Sequence, residues 1–292
     1  MLGSNAGRKP FIYKKYIMDG IMAEKTERGR EKRARFMSFL KPQREEGIGI
    51  RPKQARVIGV FSCKGGVGKT TTVANVSMYL SQRMKGDVLA IDANLTAPNL
   101  GLHFGEITPK TTIHDVLAGE MPVEKAVMER HGLHFLFGSI AFGEEVHLVD
   151  LRSHLEPLKK RYKVIILDSA PGIGPEVVAA MKACDEVLVV TNPLTPTIAS
   201  TIKTFGAADR YKLHVIGAVI NMIRKEPFEL SIDEVRKSLG WSVLTAVPED
   251  PKVREATAAG VPVVQHASKS PAAQSFIKLG ESLMKYIGKN SP

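Results

Sequence analysis

The chain has 292 residues, 43% hydrophobic and 24% charged, enough for one substantial core: an α/β domain of about 230 residues plus a tail. No run approaches the length of about 18 apolar residues needed to cross a membrane, and the start lacks the apolar stretch of a secretory signal. The net charge of +11 is uneven: residues 1–56 hold 15 Lys/Arg against 6 Asp/Glu, the other 236 residues 26 against 24.

Residues 1–55 read as a basic, disordered leader, with one helix predicted over roughly 22–40. Met18, Met22 and Met37 are candidate starts of the natural chain. From Arg56 the pattern changes. RVIGVF is a short apolar strand that ends in a glycine-rich loop, and Thr70–Met84 reads as a helix. Further strands are predicted at 88–93, 133–138, 163–168, 186–191, 214–221 and 242–247. Short helices are predicted near 114–127, and longer ones at 144–161, 196–210, 232–239 and 271–287. Residues 289–292 are a tail, and there is no internal repeat.

Strands that are apolar throughout and alternate with helices predict a three-layer α/β/α domain over 56–288 with a mainly parallel sheet. Ligands of such sheets bind at the carboxyl ends of the strands. The two cysteines, Cys63 and Cys184, lie far apart and form neither a disulfide framework nor a CxxC pair. A cytoplasmic protein is expected.

The strongest signal is Lys64-Gly65-Gly66-Val67-Gly68-Lys69-Thr70-Thr71, between a strand and a helix. Glycines let successive backbone N–H groups curl round an anion, and the helix start adds free donors and partial positive charge. Lys69 can reach the β- and γ-phosphates of a nucleotide, and the Thr70 hydroxyl can ligate Mg²⁺. Cys63 just before the loop reads as a small residue, with a reactive thiol as the alternative.

KGGVGKTT resembles the deviant Walker A motif of the MinD/ParA family of P-loop ATPases. The resemblance covers about residues 56–288. It implies ATP and Mg²⁺ as cofactors and a face-to-face homodimer in which Lys64 crosses to the partner's nucleotide; a phosphate contact within its own subunit is the alternative. Asp92-Ala93-Asn94 resembles switch I, which in the family reads D-x-D. Its second aspartate orients the attacking water; here it is Asn94, which accepts a hydrogen bond but takes no proton. Slow hydrolysis, or transfer of the role to Asp92, is the expectation. VIILD-SAPG resembles Walker B and switch II, with Asp168 holding Mg²⁺ through water and Gly172 beside the γ-phosphate. By the same resemblance Asn221 bonds the adenine and Pro248-Glu249-Asp250 frames it.

The run from PEDP through GVPVV and SPAAQ resembles the MinD and FlhG branches most. Iron–sulfur carriers, tail-anchor targeting ATPases and bacterial tyrosine kinases of this fold carry cysteines or tyrosines that this sequence lacks. The resemblance implies an ATP-dependent switch that positions other proteins through an unidentified activator or cargo. The alternatives are a ParA-like DNA-segregation ATPase and an adaptor that binds ATP without hydrolysing it. Phe276, Ile277 and Leu283 are expected in the core, so the usual C-terminal membrane anchor is missing or merged. The leader, with Phe36, Met37, Phe39 and Leu40, reads first as a free tail, then as a contact for anionic membrane, then for DNA.

Overall fold

The computed structural model describes residues 55–140 and 150–289. The leader with its predicted helix, the first residues of the predicted 144–161 helix and the last three tail residues lie outside these.

In chain order the elements are β1 (Arg56–Phe61), α1 (Lys69–Met84), β2 (Val88–Ala93), a 3₁₀ turn (Gly101–Phe104), α2 (Ile113–Leu117), α3 (Val123–Ala126), β3 (Met128–Arg130) and β4 (Leu133–Leu136). There follow α4 (Leu151–Lys159), β5 (Val164–Ser169), α5 (Pro175–Ala183), β6 (Glu186–Thr191), α6 (Thr195–Arg210) and β7 (His214–Ile223). The chain continues through α7 (Ile232–Leu239), β8 (Val243–Pro248), α8 (Pro251–Ala258), α9 (Val263–His266) and α10 (Pro271–Lys289).

Eight strands form one sheet in the order β3-β4-β2-β5-β1-β6-β7-β8. Every pairing is parallel except β3 with β4. Alternate side chains leave a strand on opposite faces, so each central strand feeds two cores. Val57, Phe61, Leu89, Ile91, Ile165 and Leu167 pack on the side covered by α2 to α7. Ile58, Val60, Val88, Ala90, Val164 and Ile166 pack under α1 and α8 to α10. This is the predicted three-layer parallel architecture. After β1 the chain runs to one side of the sheet and then, from β6 onward, to the other. The crevice where strand order reverses lies at the carboxyl ends of β1 and β5.

The predicted strands and long helices are present within a few residues; α4 is described from Leu151. Five elements were not predicted: the 3₁₀ turn, β3, α5, α8 and α9. Two of them carried a usable signal. Gly174-Pro175 opens α5 and Asp250-Pro251 opens α8, each with proline in the first turn, where its missing N–H costs nothing. β3 has three residues, none buried, and no apolar run to betray it.

Helix α10 buries Phe276, Leu279 and Leu283, and Ile277 packs partly against the same core. It lies against α1 where Gly280 faces Tyr79: a Cβ on Gly280 would stand 2.2 Å from Tyr79 Cδ1. α1 is tied behind the loop as well. Asn75 donates to the Thr71 carbonyl at 2.8 Å and accepts the Val264 N–H at 3.0 Å.

Gly280→Ala should therefore destabilise by about 1–2 kcal/mol, because overpacking outweighs the helix-propensity gain. Gly288→Ala, in the same helix with no atom within 4 Å of the new methyl, should be neutral or stabilise by up to about 1 kcal/mol. Urea denaturation of the two variants checks the pair; equal effects would contradict the close approach.

Candidate nucleotide site at the carboxyl edge of the sheet

Residues 62–69 link β1 to α1 across the crevice. Gly66 (φ 76°) and Gly68 (φ 90°) are left-handed, a conformation that favours glycine. Gly68 also has no room for a side chain, since a Cβ would meet Asn221 Nδ2 at 2.1 Å. Ser62 turns the loop with a hydroxyl bond to the Lys64 carbonyl at 2.7 Å. Among the described residues, no protein acceptor takes the backbone N–H of any residue from Lys64 to Thr71. Thr112, Asp150, Ser231 and Asp250 accept backbone N–H groups at the starts of α2, α4, α7 and α8, whereas α3, α5, α6 and α9 have no side-chain cap. α1 has no side-chain cap and no acid in its first turn. An open loop with free donors, backed by the buried Lys69 at the helix start, suits an anion from outside.

The charges agree. Lys69 is 8% exposed; burial lowers its pKa and Asp168 opposes that shift. Lys64 stands exposed on the rim. Asp92 and Asp168 are register partners on β2 and β5, and both are fully buried. Asp92 spends its carboxylate on the following turn, accepting N–H bonds from Asn94 (3.2 Å) and Leu100 (2.9 Å). Burial and the neighbouring Asp168 nevertheless raise its pKa well above the carboxylate range. Neither oxygen of Asp168 has a well-formed hydrogen bond. Burial pushes Asp168 up to about 6, against the pull of the Thr70 hydroxyl and the Lys69 charge. A buried carboxylate without full partners, beside a hydroxyl, fits a hard cation such as Mg²⁺.

The switch segments flank this centre. Asn94 is buried and donates Nδ2 to the Ala97 carbonyl at 2.6 Å, leaving Oδ1 as its acceptor. Gly172 is left-handed (φ 94°), and its N–H is held by the Ser62 carbonyl at 3.0 Å. To reach a phosphate, that N–H must leave Ser62. Asn221 donates to the Val67 carbonyl at 2.8 Å and so braces the phosphate loop. Of the segment after β8, Glu249 pairs with Arg224 and with Arg254, which hold its carboxyl below the usual range. Asp250 caps two helices, accepting from Lys252 N at 2.9 Å and Ala272 N at 3.1 Å. Sequence reasoning missed Ser62, His114 and Glu176, whose bonds to the loop and to switch I are described here and below.

A glycine loop between a central parallel strand and a helix, with buried lysine inside it and a carboxylate on the adjacent strand, defines a P-loop nucleotide-binding protein. The family described as ParA, NUBPL iron-transfer P-loop NTPase, matches residues 53–284. An uncharacterized ATP-binding protein of Methanocaldococcus jannaschii is 32% identical over 79% of this chain and 88% of its own. The septum site-determining protein MinD of Pyrococcus horikoshii, complexed with Mg-ADP, is 32% identical with a TM-score of 0.77, covering 80% of this chain and 98% of that one. MinD in the MinC:MinD cell division complex of Aquifex aeolicus is 30% identical with a TM-score of 0.71, covering 79% and 96%. The chain belongs to the MinD/ParA family of P-loop ATPases.

Asp168→Asn tests the unpaired carboxylate. Its raised pKa means the native state binds the proton more tightly than the unfolded chain. The ionised form therefore costs stability above pH about 6, and the cost fades as pH falls through about 6 towards the ordinary carboxylate value. Without nucleotide or Mg²⁺, the variant should melt higher than wild type at pH 8, and the two should converge by pH about 4, close to the ordinary Asp value. Mg²⁺-dependent nucleotide binding should be lost. Calorimetric melts across that pH range, with and without Mg·ADP, check both halves.

Proposed function

We propose that the protein binds Mg·ATP in the 64–71 loop, forms a homodimer around it, hydrolyses ATP slowly, and so acts as a switch that positions or regulates other proteins. The row of free N–H groups at the uncapped start of α1 carries this reading. In it, Gly65, Gly66, Val67 and Gly68 wrap the β- and γ-phosphates with their amides. Lys69 neutralises them from within, and Thr71 adds the next helical donor. Thr70 and, through water, Asp168 hold Mg²⁺, which when bound offsets phosphate charge. Lys64, exposed at the rim, reaches the partner subunit's nucleotide, where two polyanions facing each other need cations from both sides.

Asn94 then orients the attacking water through Oδ1. Phosphoryl transfer depends on positioning and electrostatics more than on a strong base, so an amide supports it at a reduced rate. Asp92 is the weaker choice, since its oxygens hold the turn. The Oδ1 of Asn221 remains for the adenine amino edge while its nitrogen braces Val67. Glu249, Asp250 and Pro248 shape the base side, with Asp250 acting through the two helices it caps. Gly172 exchanges its bond to Ser62 for the γ-phosphate.

A second reading, the ATP-binding adaptor that does not hydrolyse, is favoured by one observation: the Asn94 amide is locked to Ala97 and cannot take a proton. The relative in a MinC:MinD complex supports a protein partner for the switch. DNA is the weaker candidate, since residues 57–292 are close to neutral in charge. No described helix is long and apolar enough to cross a membrane; a peripheral contact with anionic lipid through residues 1–55 is part of the proposal.

Lys69→Ala should weaken Mg·ATP binding by about a hundredfold or more, whereas Lys64→Ala should keep binding within a few-fold and lose the ATP-dependent dimer. Calorimetry with light scattering separates the two; loss of neither property would defeat the reading. Asn94→Asp should raise single-turnover hydrolysis about tenfold relative to wild type. No gain in a phosphate-release assay favours the adaptor.

A further inference from the structure

One peptide of switch I is gripped from both sides. Leu95 donates its N–H to Glu176 Oε1. Its carbonyl accepts from Nε2 of His114 at 3.0 Å. Thr96 adds two bonds to the same carboxylate, its N–H to Oε1 at 3.1 Å and its hydroxyl to Oε2 at 3.0 Å. His114 Nδ1 accepts the Ser139 N–H at 3.0 Å, which leaves Nε2 as the donor to the Leu95 carbonyl. His114 is 1% exposed and cannot swing away. Glu176 lies in the first turn of α5, where the helix start favours a carboxylate.

Both anchors stand on helices packed into the same core, α2 and α5. His114 belongs to α2, which is packed into the core. Glu176 belongs to the segment that runs on from Gly172, whose N–H is held by Ser62. Asn94 immediately precedes the gripped peptide, and its own amide is fixed to Ala97 within the same turn. Residues 94–97 are therefore held as one turn between His114 on α2, Glu176 on α5 and Asp92 at the end of β2. The carboxylate accepts three charge-assisted hydrogen bonds, the Leu95 one part-buried and the two from Thr96 exposed.

We infer that Glu176 is a positioning residue for ATP hydrolysis: from the start of α5, next to switch II, it holds the 94–97 turn and with it Asn94, while His114 holds the same turn from α2. The inference rests on the reading that Asn94 orients the attacking water. Glu176 touches neither nucleotide nor water in this scheme. Its loss changes where Asn94 stands and not how ATP binds, and a misplacement on the scale of 1 Å costs up to about a hundredfold in rate.

The test uses the full-length protein with Glu176→Ala, Glu176→Gln, Asn94→Ala and the double variant Asn94→Ala/Glu176→Ala. Glu176→Ala should lower the single-turnover hydrolysis rate between about tenfold and a hundredfold and leave the Mg·ATP dissociation constant within about threefold. Glu176→Gln keeps an oxygen for Leu95 and Thr96 and should recover most of the rate. The double variant should be no slower than Asn94→Ala alone, because the effect passes through that side chain. Hydrogen exchange at the Leu95 and Thr96 amides should quicken in Glu176→Ala, with the central strands unchanged.

An unchanged rate in Glu176→Ala overturns the inference, as does full additivity with Asn94→Ala, or a joint loss of rate, affinity and strand protection. A wild type that binds Mg·ATP and never turns it over defeats the hydrolytic reading beneath it. In that case faster exchange at Leu95 and Thr96 upholds the hold of Glu176 on the turn, and unchanged exchange overturns it.

Discussion

Two carboxylates stand side by side at the dry end of adjacent parallel strands, and the rest of the site is arranged around that constraint. Asp92 and Asp168 are in register, buried and mutually repelling. A fold selected only for stability would replace at least one with a neutral residue. Here one accepts backbone N–H groups and the other faces Lys69 and Thr70. The loop in front of them has the opposite character, donors without acceptors. The proposed magnesium-bound polyphosphate would satisfy both at once.

This complementarity explains how the site is built into the sheet. Parallel strands give Asp92 and Asp168 the same height, and the change of chain direction beside β1 opens the crevice above them. The braces come from elsewhere. Asn221 on β7 holds Val67, Ser62 holds Gly172, and Asn75 ties α1 to α9. The loop is thus braced by bonds from the protein itself, which lowers the ordering cost of binding.

Much of this was legible in the sequence. Strands such as VIILD and EVLVVT are apolar throughout their interiors, with polar residues only at their ends, so period and length sufficed, and the phosphate loop is a local motif in which spacing alone fixes geometry. What was not legible is tertiary. Nothing near Glu176 in the chain says that it faces Leu95 and Thr96, and nothing near His114 marks it as the other half of a grip. Asp250 illustrates the same limit. In the sequence it belongs to a loop that frames a base; in the structure both its oxygens hold helix starts, one of them on α10. β3 escaped because an edge strand of three residues needs only a partner and not a pattern.

The packing of the last helix has a consequence for handling the molecule. α10 rests on α1 through the bare backbone of Gly280 against Tyr79, and Asp250 clips its first turn. α1 in turn begins with the lysine of the phosphate loop. α10 is also held to the sheet, by the Thr245 hydroxyl on the Ser275 carbonyl and the Tyr286 hydroxyl on Glu186. A tethered surface or bulky fusion at that end would therefore load the sheet together with the helix that begins in the phosphate loop.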